Sequence, residues 1–278
     1  VTRGRFNGIR STQYAIRYLI LISALIFFLF PIFWIATMAF KSPDEYFRNP
    51  PVWLPSTLNL DHFAQLVTNK TINAFGRSVA ITAASTLLAL IVACPAAYSL
   101  ARFNTGGHNF AFWILSQRFL PPVAVVFPIF LLYRLLKWVD TYHGLVILYA
   151  TFSLPFVIWM MRGYFREVPI ETEESALVDG CSRWQVLTRI TLPLSAPGLI
   201  ATTVFTFIFT WNEFLFALVL TRTRAVTLPV ALSGYFGAQS AFWGEAAALS
   251  LIATVPIVVL TLFVQRHLVT GLTLGAVK

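Results

Sequence analysis

Residues 174–193 read ESALVDGCSRWQVLTRITLP, a polar, charged island between two hydrophobic spans. Pro169 suits the start of a helix, and Glu171, Glu173 and Glu174 fall in its first turns, where negative charge meets the positive end of the helix dipole. Gly180 ends that helix as a residue free to enter the left-handed region. Ser182, with Gln185 three positions on, has the spacing of a capping box and opens a second short helix running to Pro193. The expectation is helix, tight turn, helix, within an island bounded by residues 163 and 195.

The rest of the chain says what kind of molecule carries this island. Of 278 residues, 58% are hydrophobic and only 11% charged, with a mean hydropathy of +0.74. That is far more apolar than a soluble domain and belongs in a bilayer. The net charge of +9 does not point to nucleic acid, because the basic residues are spread over the ends of apolar runs and form no dense patch. Cys94 lies in an apolar run and Cys181 in the island, which argues against a structural disulfide. Neither has metal-ligand spacing with His62, His108, His143 or His267. No Gly-Lys dipeptide occurs, so there is no Walker A loop, and any ATP that drives this protein is bound by another subunit.

Six spans follow from the long apolar runs, at about 18–40, 78–101, 110–136, 144–161, 197–220 and 246–265. Each is close to or beyond the ~20 residues a spanning helix needs. Arg3, Arg5, Arg10 and Arg17 precede the first and place the N-terminus in the cytoplasm by the positive-inside rule. Residues 41–75 hold Pro43, Pro50, Pro51 and Pro55 among mixed charges and read as an external loop. The second span carries Ala83, Ala84, Ser85, Ala93, Ala96, Ala97 and Ser99, small residues that suit close helix packing. The third carries Arg118 with Pro121, Pro122 and Pro128 after it, so a bent or broken helix is expected. The fourth is interrupted at Pro155. The charge-free run from Ala225 to Gly244 is long enough for a seventh span, but Pro229, Ser233, Gly234, Gly237, Gln239 and Ser240 leave no continuous apolar surface, and an external loop over 221–245 fits better. Both termini then lie inside. Eleven basic residues fall inside and eight outside, with Arg118 completing the 20, a bias of the right sign but modest.

The island resembles the cytoplasmic EAA loop of permease subunits in binding-protein-dependent ABC importers. That family's motif is Glu-Ala-Ala, three residues, Gly, nine residues, Ile, one residue, Leu-Pro. Here Glu174, Ser175, Ala176, Gly180, Ile190, Leu192 and Pro193 keep every spacing, with Ser175 as the one departure. The stretch TWNEFLFAL, Thr210 to Leu218, resembles the corresponding span of maltose-type sugar permeases, and GLTLGAVK, Gly271 to Lys278, looks like their C-terminal tail. Phe40, Lys41, Pro51, Leu54, Pro55, Leu58 and Asn59 fit the same subfamily more loosely, while Leu274 and His62 depart from it.

The resemblance implies an all-α integral membrane subunit of the type I ABC importer permease fold in the bacterial inner membrane. It implies pairing with a second, different permease subunit above two ATPase subunits that hold ATP and Mg, this chain holding no cofactor of its own. A periplasmic or lipid-anchored solute-binding protein would deliver a sugar, such as a di- or oligosaccharide. The helix pair at 170–191 would be the element seated in an ATPase groove. There Glu174 would pair with a basic residue, Trp184 and Leu187, three apart, would fill an apolar pocket, Gly180 would serve the turn, and Ser175, Ala176, Asp179, Ile190, Leu192 and Pro193 would belong to the same ATPase-coupling stretch. For each of these the alternative is packing against its own subunit.

Candidate pathway residues come from the third and fifth spans. An arginine within a span is costly, about 3 kcal/mol on insertion scales. Arg118 therefore reads either as lining a water-filled path or as paired to backbone carbonyls or to an acidic partner. Thr202, Thr206, Thr210 and Glu213 follow at steps of four, four and three and share one helix face, with Phe209, Trp211, Asn212 and Phe214 around them. That face would line the path for a polar solute. The alternative is interhelical hydrogen bonding, which suits the threonines better than Asn212 and Glu213. Two other classes fit less well. A secondary transporter needs an ion relay, yet the spans hold little beyond Arg118 and Glu213. A membrane-embedded enzyme needs a nucleophile and base or a metal cluster, and no histidine lies near a matching partner in sequence. Dependence on added ATPase subunits separates the three.

Overall fold

The computed structural model describes residues 3–69, 71–103, 105–236 and 242–274, and the regular elements there are helices. In order these are α1 (Arg3–Phe40), α2 (Asp61–Thr68), α3 (Asn73–Arg102), α4 (Gly107–Ser116), α5 (Pro122–Leu135), α6 (Tyr142–Glu167) and α7 (Ile170–Val178). There follow α8 (Arg183–Val186), α9 (Leu192–Leu194), α10 (Ala196–Trp211), α11 (Leu215–Leu220), α12 (Leu228–Ser233) and α13 (Trp243–Leu274). Gly237, Gln239 and Ser240, used above against a seventh span, and tail residues Gly275 to Lys278 lie outside the described residues.

The chain divides into two compact units, residues 1–70 with 234–254 and residues 71–233 with 255–278. In the first, the apolar stretch of α1 from Ile16 to Phe40 has no buried residues in its most hydrophobic window, as suits a helix whose partner is lipid or another subunit. Where α1 ends, polar groups gather. Lys41 lies 4.2 Å from the Trp34 ring centroid, and Glu45 accepts the backbone N–H of Ser42 at 3.2 Å and of Ser56 at 3.0 Å. His62 sits between the Lys41 carbonyl and the Tyr46 hydroxyl, at 2.9 and 2.8 Å from Nε2, with Glu245 3.8 Å from Nδ1. The prolines of this segment do exclude a long helix, but a short amphipathic one, α2, forms after them and buries His62 and Leu66.

The second unit is built on α3 and α6. Ser85, Ala89, Ala93 and Ala97 recur every four residues on α3 and are all fully buried, a small-residue stripe that lets α6 approach closely. Ala83 and Ala84 lie on the exposed face instead. Against the stripe α6 sets Ala150, Val157, Ile158, Met161 and Phe165. Nearer the other end of the two helices a second core joins Ile81, Leu145, Leu148 and Tyr149 to Tyr133, Phe216 and Leu220. The start of α10 lies so close to α6 that a Cβ on Gly198 would collide with the Tyr164 ring.

Several expected elements differ in detail. The second span begins at Asn73, five residues before Ser78, the fourth runs unbroken through Pro155 from Tyr142 to Glu167, and the sixth helix extends from Trp243 to Leu274. The third span is two arms meeting at 86°. Leu120 is extended, the conformation favoured before proline, and Pro121 and Pro122 then start α5 afresh. The fifth span, expected as one helix over 197–220, is interrupted at Asn212–Phe214. The Glu213 carboxylate accepts the N–H groups of Phe216 at 2.8 Å and Ala217 at 3.2 Å, so a side chain replaces the carbonyls that would have continued α10 and begins α11. Residues 221–245 carry no spanning helix among the described residues, only α12 and the start of α13.

Candidate coupling loop and solute cavity

The island folds as helix, turn and helix. Gly180 takes φ +87°. Its N–H bonds to the Leu177 carbonyl at 3.1 Å, and that of Cys181 reaches Ala176 at 3.0 Å, the pair of bonds that closes a helix end through a left-handed residue. The capping box is present, with Gln185 N–H donating to Ser182 Oγ at 3.3 Å and Ser182 N–H to Gln185 Oε1 at 2.7 Å. Beyond α8 the backbone widens into a π-helical turn, Leu187–Thr191, before α9. At Ser195 the chain bends by 82° into α10.

The two faces of this element differ sharply. Glu174, Asp179 and Pro193 are exposed, as is Ser175, whose hydroxyl donates to the Glu171 carbonyl. Trp184 is 62% exposed. Ala176 is buried, while Ile190 and Leu192 are half-buried. Leu187 corrects the sequence reading. It is 2% exposed and belongs to the α3–α6 core, because three residues along a helix of mixed pitch turn it inward while Trp184 stays out. Val178, 88% exposed, is another apolar side chain that this element leaves uncovered. Sequence reasoning missed it, since a lone valine in an acidic helix has no distinguishing pattern.

Glu173, which the sequence marks only as a charge at a helix start, is buried. It accepts Tyr98 Oη at 2.9 Å, Arg102 Nη2 at 2.8 Å and Thr191 Oγ1 at 2.7 Å. Burial works against the charged carboxyl, but the hydrogen bonds from Arg102, Thr191 and Tyr98 outweigh it and hold its pKa below the ordinary carboxylate value.

In the same unit, the break in α10–α11 and the bend before α5 frame a cavity of about 240 Å³. Four candidates converge there: Arg118, Phe209, Thr210 and Glu213. The Arg118 guanidinium donates to the Phe152 carbonyl at 3.0 Å and lies 5.0 Å from the Phe209 ring centroid. It is therefore both paired to a carbonyl and beside an open space, so the two readings of its role coincide. Residues of α6 that the sequence did not single out complete the wall: Tyr149, Phe152 and Ser153. The buried Tyr149 hydroxyl makes no hydrogen bond of good geometry among the described residues.

The other candidates lie elsewhere. Thr206 is buried and donates to the Thr202 carbonyl at 2.7 Å, a helix-packing role. Trp211 is buried between Phe207, stacked at 5.9 Å, and Phe75, edge-on at 5.8 Å. Asn212 is exposed, with its amide donating to the Ile208 carbonyl at 2.8 Å. Steps of three and four align Cα atoms, but only the last turn of α10 reaches the cavity.

The chain is thus a helical bilayer protein with a capped helix pair on one loop and a cavity among the spans of its second unit. The chain belongs to the family of binding-protein-dependent transport system inner membrane components, whose profile matches residues 85–273. It is 36% identical over 253 residues to the probable ABC transporter permease protein y4oR of Sinorhizobium fredii, covering 90% of this chain and 91% of that one. It is 34% identical over 271 residues to the trehalose/maltose transport system permease protein MalG of Thermococcus litoralis, covering 94% and 97%. A crystal structure of a bacterial ABC transporter involved in import of the acidic polysaccharide alginate superposes with a TM-score of 0.77 over 96% of this chain and 99% of that chain. The identity there is 24%, so the likeness is one of fold.

Proposed function

We propose that this permease subunit forms half of the pathway of an ATP-driven sugar importer and does no covalent chemistry itself. The cavity carries the reading. An aromatic face, Phe209, stands beside a fixed cation, Arg118, a carboxylate, Glu213, and the hydroxyls of Tyr149, Ser153 and Thr210. A sugar ring needs such a set: a flat apolar side to cover its C–H face and mixed donors and acceptors for its hydroxyls. At 240 Å³ the cavity is smaller than the ~300–1,000 Å³ of pockets that enclose a whole drug-sized ligand, so it takes one ring of a longer sugar at a time. The trehalose/maltose name of a relative supports the same class of solute.

In this reading a second, different permease completes the pathway, and two ATPase subunits with ATP and Mg sit against Glu174, Val178, Asp179 and Trp184. A binding protein docks on the opposite side, and both termini lie in the cytoplasm. ATP binding closes the ATPases, carries the coupling helices inward and turns the pathway outward. The test is solute-stimulated ATPase activity of the reconstituted complex with a panel of sugars. Phe209→Ala is expected to raise the half-saturating sugar concentration at least tenfold with unstimulated ATPase activity unchanged; equal stimulation of wild type by non-sugar solutes alone would sink the assignment.

A further inference from the structure

Glu173 lies outside the motif, and its neighbour Glu174 is the residue that faces outward. Yet its carboxylate, 1% exposed, is where three elements meet: α3 through Tyr98 and Arg102, α7 through its own backbone, and the π-helical turn through Thr191. Arg102 also donates to the Val168 carbonyl at 2.8 Å, at the hinge between α6 and α7. The covalent links at either end of the island are poor transmitters. One is the extended Val168–Pro169 connection, and the other is the 82° bend at Ser195. Side-chain bonds to α3 must supply the stiffness that the backbone lacks.

The geometry of Thr191 shows how specific the joint is. Each residue of an α-helix turns about 100°, so the extra residue accommodated by the π-helical turn swings Thr191 round to Glu173. π-bulges of this kind recur at functional positions. Three short bonds from different directions fix a carboxylate in a way that the non-directional packing of Leu187 does not.

We propose that Glu173, held by Arg102, Tyr98 and Thr191, is the positioning residue that makes the coupling helices one rigid body with α3, so that ATPase movement reaches the α3–α6 core and the cavity wall instead of being absorbed in the loop. This rests on the reading of the exposed face as the ATPase contact. The route from joint to cavity is short: α3 packs along α6 through the core of Ala93, Ala97, Val157 and Met161, and α6 carries Tyr149 and Ser153 into the cavity.

The test uses the complete complex with Cys94→Ala, Cys181→Ser and the reporter Ser153→Cys, labelled with a water-soluble maleimide. In this background ATP with vanadate is expected to change the labelling rate at least fivefold, and Glu173→Gln to cut that response below twofold while the ATPase subunits still copurify. A full response in Glu173→Gln overturns the proposal, as does the absence of any nucleotide response in the reference complex. If Glu173→Gln does not assemble, Tyr98→Phe and Thr191→Val, each lacking one donor, decide it: graded, non-multiplicative losses support the joint, and full responses overturn it. Trp184→Ala separates the underlying reading. Retention of the ATPase subunits in that variant sinks the docking face, whereas their loss together with a normal Glu173→Gln response sinks the joint alone.

Discussion

Trp184 and Leu187 stand three positions apart and face opposite environments, which makes their substitutions diagnostic. Leu187→Ala opens a void in the α3–α6 core and is expected to cost about 3 kcal/mol, seen as a lower Tm with ATPase binding intact once folded. Trp184→Ala removes an exposed ring and should leave Tm within a degree or two while weakening ATPase association at least tenfold by copurification or titration. Glu173 yields a pH prediction. Its folded pKa lies below the unfolded value, so its contribution to stability is complete above the ordinary carboxylate range and is lost as pH falls through the folded pKa. Thermal unfolding between pH 7 and pH 3 should show an acid limb that Glu173→Gln flattens; an unchanged limb would remove Glu173 as its source. Among these residues the motif spacing made Glu174 and Gly180 legible. It could not reveal the roles of Glu173 or Val178, since a buried acid and an exposed valine look ordinary until their surroundings exist.

At the scale of elements, one side chain ties the turn between α5 and α6 to the segment that follows α11. The Asp140 carboxylate accepts the backbone N–H groups of Arg222, Thr223, Arg224 and Ala225, at distances of 3.0 to 3.2 Å. Partial burial opposes its charge, but these four backbone donors outweigh it and keep the carboxyl well below its ordinary pKa. Asp140→Ala orphans a row of amides and is expected to cost about 3 kcal/mol. Amide exchange at 222–225 should accelerate more than elsewhere, and uniform acceleration would mean that the bonds are not local. In the coupling element, Gly180 has open space at its Cβ position but φ +87°, so Gly180→Ala meets strain alone, about 1–2 kcal/mol. Gly180→Pro cannot adopt that φ at all and should abolish solute stimulation of the ATPase.

For the whole molecule the question is which end faces which compartment. Within the second unit, Arg102 and Glu173 lie at one end of α3, and Arg77, whose guanidinium donates to the Thr223 carbonyl at 3.0 Å, lies at the other. Thirty residues of α3 at about 1.5 Å each exceed the ~30 Å hydrocarbon core, which puts these ends on opposite faces. Single cysteines at Val178 and Arg224 should therefore label with an impermeant maleimide from opposite sides in intact cells, Arg224→Cys from outside and Val178→Cys only after permeabilisation. Labelling of both from one side would overturn the topology.

The sequence by itself determined the bilayer class, the helical fold and the helix–turn–helix island, because charge-free runs, capping residues and motif spacing are local and one-dimensional. It also marked Arg118, Phe209, Thr210 and Glu213. Tertiary structure alone decided that these four meet Tyr149 and Ser153 around one space, that Thr206 and Trp211 turn away, and that the fifth span breaks at Glu213. Periodicity places a residue on a face; which neighbour that face meets depends on packing between segments far apart in the chain, and the one-residue slip of a π-helical turn is enough to redirect it.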